Sequence, residues 1–222
     1  VNISILLEIE MNNLKKQFIE FTLNHEILRF GSFTLKSGRQ SPYFFNTGLC
    51  NDGLLLSSLT KFYCNSIISN KINFDFIFGP AYKGITLASS ISSNLFLSNN
   101  LNKPYSSNRK EAKDHGETGI FLGFQPNGLA LIVDDVISSG KSIIDSIELL
   151  EKNNAKPSSI LVCFDRMELG LKDRASIEIE DKYKIPVHSL IDLDDIVAYM
   201  KLDGSMDNLL NSMYDYMSKY KA

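Results

Sequence analysis

Two carboxylates stand side by side at Asp134 and Asp135, and Ser138-Ser139-Gly140-Lys141-Ser142 follows within a few residues. Acids of this kind can accept hydrogen bonds from sugar hydroxyls. A run of small residues entering a helix leaves backbone N–H groups free for a phosphate, and the helix dipole favours the negative charge. The chemistry that suits both halves is binding of a sugar phosphate. Gly140-Lys141-Ser142 also ends like a nucleotide-binding P-loop, but that motif needs a glycine five positions before Gly140, where Asp135 stands. Taken alone, the loop also admits a plainer reading in which the acids cap the helix.

Other charged groups could serve the same chemistry. Lys83 follows the break at Gly79-Pro80, in a second strand–loop–helix that makes a second possible anion loop. Its alternative is a surface lysine beside a turn. Arg109, Lys110, Lys113 and His115 form a local cation source in a chain of net charge −3. The stretch from Arg109 to Gly119 lacks an apolar face and ends in two glycines, the composition of a mobile surface loop. A solvated charge run is the ordinary alternative. His25 and His188 fall in a helix and a strand and read as structural or surface residues.

The elements that must place these groups alternate along the chain. Leu129 to Val133 is a five-residue apolar run, read as a strand buried on both faces and ended by the two acids. Ile143 to Leu150 has helical spacing. Asn12 can cap a helix to about Leu28, and Phe33 to Phe45 reads as two extended pieces around a Ser-Gly turn, with Pro42 barring a helix. Helices are expected over Gly53 to Ser69, from Gly84 to Leu97, over Asp194 to Lys201 and over Asp207 to Lys219. Strands are expected over Asn73 to Phe78, Ser158 to Phe164 and Pro186 to Ile191. Strands alternating with helices imply an α/β fold with a doubly wound, mainly parallel sheet flanked by helices.

Composition agrees with this fold class. The 222 residues suit one domain, with residues 11–50 forming an N-terminal helix and hood and residues 1–10 an extension. Hydrophobic content is 44% and no apolar run approaches membrane-spanning length. Val1 to Glu10 lacks the basic start and cleavage site of a signal peptide. Cys50, Cys64 and Cys163 have no metal-like spacing and suit reduced thiols in a cytoplasm. A pI near 5.7 leaves no electrostatic footprint for nucleic acid.

The strand, the two acids and the loop resemble the phosphoribosyl-diphosphate signature of type I phosphoribosyltransferases. Set beside Thr34-Leu35-Lys36-Ser37-Gly38, Ser41-Pro42-Tyr43-Phe44-Phe45, Phe78 to Gly84, Asn108 to Gly116 and Asp165-Arg166, the chain from about Met11 onward is similar to the bacterial orotate phosphoribosyltransferase family. That family joins orotate to the ribose of phosphoribosyl diphosphate in pyrimidine synthesis, giving orotidine 5′-monophosphate and pyrophosphate. The resemblance implies that Asp134 and Asp135 meet the ribose hydroxyls, while the loop through Val136, Ile137, Ser138, Ser139, Gly140, Lys141 and Ser142 holds the 5′-phosphate. It implies a diphosphate loop with Lys83, the amides of Ala81 and Tyr82, and a cis peptide between those two residues. It makes Arg109, Lys110, Lys113 and His115 a lid over the diphosphate, reaching the neighbouring subunit of a homodimer with shared sites. Lys113, His115, Asp134 and Asp135 become the catalytic groups. Orotate is expected against Lys36, the backbone of Phe44 and Phe45, Ser138 and Arg166, with Lys36 in the hood also reaching phosphoribosyl diphosphate. Mg²⁺ is implied too, held mainly by substrate oxygens and water rather than a protein cage. The rivals are a phosphoribosyltransferase for a purine or uracil, which the hood and Arg166 oppose, and a non-catalytic RNA-binding regulator on the same fold, which the acidic pI opposes.

Overall fold

The computed structural model describes residues 13–35, 38–113 and 119–222, the side chains of 112 and 113 excepted. A six-stranded sheet carries β3 (Phe76–Phe78), β4 (Tyr105–Lys113), β5 (Gly119–Gly123), β6 (Gly128–Ile137), β7 (Ala155–Asp165) and β8 (Val187–Asp192), in the order β5-β4-β3-β6-β7-β8. All neighbours are parallel except the edge pair β4–β5. β1 (Leu28–Thr34) and β2 (Gln40–Phe45) form a separate antiparallel hairpin, the expected hood.

Period-two alternation sends the strand side chains to two cores. Ile77, Leu131, Val133, Leu161 and Cys163 face one side, and Phe76, Phe78, Ala130, Ile132, Ile160 and Val162 the other. The first core is covered by α1 (Asn13–Asn24), α2 (Gly53–Ser69), α3 (Lys83–Asn99), α6 (Leu193–Asp203) and α7 (Asp207–Tyr220). The second is covered by α4 (Lys141–Lys152) and α5 (Ala175–Tyr183). The doubly wound, mainly parallel arrangement is therefore observed. Cys50, Cys64 and Cys163 are buried free thiols. Among the described residues no helix is long and apolar enough to cross a membrane.

Several boundaries differ from expectation for physical reasons. α1 stops at Asn24 because the chain turns through Glu26 at φ +56°, so His25 sits in a turn and Leu28 opens β1. β6 does not end at the acids. It continues to Ile137 because β7 pairs with it as far as Asp165. Arg109 to Lys113 is strand rather than loop, since β5 supplies a partner that pairs Asn108 with Phe121 and Lys113 with Gly119. Only residues 114–118 of that stretch lie outside the described structure. α5 was not anticipated. It buries only Ala175, Ser176 and Ile179, too few apolar positions to show a period.

Candidate active site

The acid pair lies at the carboxyl end of β6, where the strand hands over to the N-terminus of α4. Asp134 is buried. Its Oδ1 accepts from the Asp135 N–H at 2.9 Å and its Oδ2 from Ser142 Oγ at 3.0 Å, in the first turn of α4. Burial, reinforced by the Asp135 charge, pushes its carboxyl up to about 6. Asp135 is turned the other way. Its Oδ2 takes Lys83 Nζ at 2.6 Å and Thr47 Oγ1 at 2.9 Å, while Oδ1 takes the Val136 N–H at 3.0 Å. Two differently directed carboxylates thus share one strand end. Beneath them Tyr63, fully buried on α2, donates to the Asp134 carbonyl at 2.7 Å and meets Cys163 Sγ at 2.9 Å.

The two anion loops are built differently. Gly140 caps α4 at φ +73° with no side-chain cap bond, so the first-turn amides stay open to a ligand. Val136 and Ile137 turn their side chains into the two cores, leaving their backbone for contact, while Ser138 and Ser139 line the surface. The Lys141 ammonium instead pairs with Asp145 one turn along, at 3.0 Å. At the second loop the Ala81–Tyr82 peptide is cis, and the Ala81 N–H donates to Asn108 Oδ1 at 2.9 Å, so β4 anchors the loop. A cleft of about 400 Å³ separates the loops, lined by Pro80, Ala81, Asn108, Lys110, Ser142 and Asp145 among others. Lys110 Nζ sits 4.4 Å from the Tyr82 ring centroid, and Arg109 lines a neighbouring hollow with Tyr82 and Lys110. The side chains of Lys36, Lys113 and His115 lie outside the described residues.

The proposed base residues form another group. The Phe45 ring is core, packed on Phe164 at 5.1 Å, and the Phe44 ring stacks on Phe33 at 5.5 Å on the opposite face of the hairpin. Arg166 follows β7, with its backbone N–H on the Ile137 carbonyl at 3.1 Å, which sets it beside the loop after β6. Burial alone would lower the Arg166 pKa, but Tyr43, Glu168 and Tyr216 raise it overall. Among the described residues no cluster of three or more His, Cys, Asp or Glu side chains could hold a metal.

Comparison with known proteins meets this geometry. The family described as "Phosphoribosyl transferase domain" matches residues 58–189, which span the acid pair, both loops and the central strands. The orotate phosphoribosyltransferase of Mannheimia succiniciproducens is 44% identical over 211 residues, 95% of this chain and 99% of that protein. The chain belongs to the orotate phosphoribosyltransferase family. The Nitrosomonas europaea member is 46% identical over 213 residues, covering 96% of this chain and 93% of its own length. The crystal structure of the Francisella tularensis member superposes with a TM-score of 0.82 at 37% identity, covering 93% of this chain and 100% of that one.

Within this family member several site residues escaped the sequence reading. Thr47, on a 3₁₀ turn, reaches Asp135 across 88 positions, and nothing in its local sequence signals that. Asn108 holds the Ala81 N–H, a role its place in a charged strand does not signal. Tyr63 reads as one more apolar position of a helix. Glu168 follows the end of β7 across Met167 at φ +53°, a left-handed turn that no strand pattern in the sequence signals.

Proposed function

We propose that this protein transfers the 5-phosphoribosyl group of phosphoribosyl diphosphate to orotate, releasing pyrophosphate and forming orotidine 5′-monophosphate for pyrimidine synthesis. The observation that carries the reading is the meeting of Asp134, Asp135, Lys83 and the open first turn of α4 at one strand end. The N1–C1 bond forms as the C1–O bond to diphosphate breaks, with inversion at C1, and the N1 proton leaves. No protein nucleophile is required; positioning and electrostatic preorganisation supply the catalysis.

The roles divide along the geometry. The amides of the loop and the first turn of α4, from Ser138 to Ser142, take the 5′-phosphate, and Asp134 and Asp135 accept from the ribose hydroxyls. Lys83 is half exposed, so its pair with Asp135 contributes only about 0–1 kcal/mol, and a diphosphate can draw it away at little cost. Tyr82, Arg109 and Lys110 border the leaving group's path, with Lys113 and His115 completing the cationic side. Arg166, Lys36, Ser138 and the backbone of Phe44 and Phe45 meet orotate. Mg²⁺ fits a site where one carboxylate already seats a cation; held mainly by substrate oxygens and water near Asp134 and Asp135, it would neutralise diphosphate charge. A cytoplasmic homodimer with shared sites is the assembly we assign, on the family resemblance of the segment around Lys113.

The test is the loss of orotate absorbance with phosphoribosyl diphosphate and Mg²⁺, with uracil, adenine and hypoxanthine as competing bases. Turnover of another base in preference to orotate would overturn the substrate assignment.

A further inference from the structure

Arg166 is fixed from behind. Its Nε donates to Glu168 Oε1 at 2.8 Å and its Nη2 to the Tyr216 hydroxyl at 2.8 Å, while that hydroxyl donates to the same Glu168 oxygen at 2.7 Å. The three groups close a hydrogen-bonded ring. Glu168 is 8% exposed, and its second oxygen takes Arg39 Nη1 of the hood at 3.3 Å. The Tyr43 ring lies 5.1 Å from the Arg166 guanidinium carbon. Tyr216 comes from α7, and the chain end is joined to this segment through Leu169 N–H on Tyr220 O at 3.1 Å and Ala222 N–H on Met167 O at 3.0 Å.

These contacts engage one edge of the guanidinium, through Nε and Nη2. Nη1 takes no acceptor among the described residues. A planar fork held along one edge keeps its other edge aimed, which is what recognition of a second carboxylate requires. Glu168 also partly offsets the arginine's charge, so the arrangement favours orientation over raw attraction. We infer that Glu168 and Tyr216 are positioning residues that orient Arg166 toward the base carboxylate, so that the C-terminal helix α7 reaches the base site through the Tyr216 hydroxyl alone. This rests on the reading of Arg166 as an orotate contact.

Steady-state kinetics on Glu168→Gln and Tyr216→Phe test it, with Arg166→Leu and Met213→Ala as references. Tyr216→Phe keeps the ring and removes only the hydroxyl. Met213 is fully buried on the same helix, so its truncation loosens α7 without touching the ring of hydrogen bonds. The expected result is a KM for orotate raised roughly five- to tenfold in Glu168→Gln and Tyr216→Phe, the size of one lost hydrogen bond. The KM for phosphoribosyl diphosphate should stay within about twofold in both, and Met213→Ala should lower Tm without moving the orotate KM. An orotate KM that is unchanged or lower in Glu168→Gln, or both substrates affected alike, would overturn the positioning role. If Arg166→Leu raises the orotate KM while the other two do not, the positioning role alone fails. If Arg166→Leu leaves it unchanged, the base assignment fails and takes the inference with it.

Discussion

At the scale of single residues, the acid pair sets function against stability. The Asp134 carboxyl is raised in the native state above its unfolded value by burial and by the Asp135 charge. The native state therefore binds the extra proton, and stability is greatest below the ordinary carboxylate range and falls as pH rises to about 6. Above that the full cost of a buried charge is in place. A shift of this size corresponds to about 2–3 kcal/mol. Asn cannot ionise, so Asp134→Asn should be more stable than the parent at pH 8 by up to that amount, with the difference vanishing near pH 4. Use of phosphoribosyl diphosphate should fall at the same time. Denaturant unfolding across pH, beside kinetics, checks both; a stability difference independent of pH would rule out the titration account. Thr47 gives a milder case. Thr47→Val keeps the shape and removes the donor to Asp135 Oδ2, so the KM for phosphoribosyl diphosphate should rise about three- to tenfold with little change in orotate KM. An unchanged KM would reduce Thr47 to packing.

At the scale of elements, the loop after β3 depends on two backbones in contact. A Cβ on Gly84 would stand 2.5 Å from the Gly79 carbonyl carbon and 2.7 Å from Pro80 Cδ, and neither can rotate aside. Gly204, by contrast, needs glycine only for its φ of +69°, with nothing within 4 Å. Gly84→Ala should therefore cost about 1–3 kcal/mol by overpacking and weaken phosphoribosyl diphosphate more than orotate. Gly204→Ala should cost about 1 kcal/mol and leave kinetics alone. Equal kinetic damage from both would detach the loop from substrate binding. The same elements show how far sequence carried. β6 and α4 were legible because burial on both faces and helical spacing leave unmistakable patterns, and α2 was read to the residue. β4 and β5 were not, since an edge hairpin full of charge is strand only because its partner exists. The acids and the glycine loop were legible as local spacing. Thr47, Tyr63 and Tyr216 were not, because each reaches its partner across tens of positions.

At the scale of the whole molecule, a chain of net charge −3 must hold a polyanionic substrate, so attraction has to be local, and on the proposed reading Mg²⁺ shares it. Among the described residues the lysines lining the cleft are Lys110 and Lys141, with Arg109 at a neighbouring hollow; Lys141 is paired with Asp145, and Lys83 with Asp135. Even drawn away from Asp135, Lys83 brings a single positive charge against the several negative charges of a diphosphate. A ligand that binds only the native state at 100 times its Kd stabilises by about 2.7 kcal/mol, and for a chain of this length each kcal/mol moves Tm by about 2–4 °C. Phosphoribosyl diphosphate with Mg²⁺ should therefore raise Tm by about 5–11 °C at that saturation. The same substrate with a chelator should raise it far less, and orotate alone little. Asp135→Asn should lose much of the shift, because the carboxylate we assign to the ribose hydroxyls is gone while the fold keeps its Thr47 contact. A full shift in the presence of chelator would remove the metal from binding. A full shift in Asp135→Asn would mean that the helix amides and Lys83 hold the substrate unaided, leaving the second acid to act only on the reacting sugar.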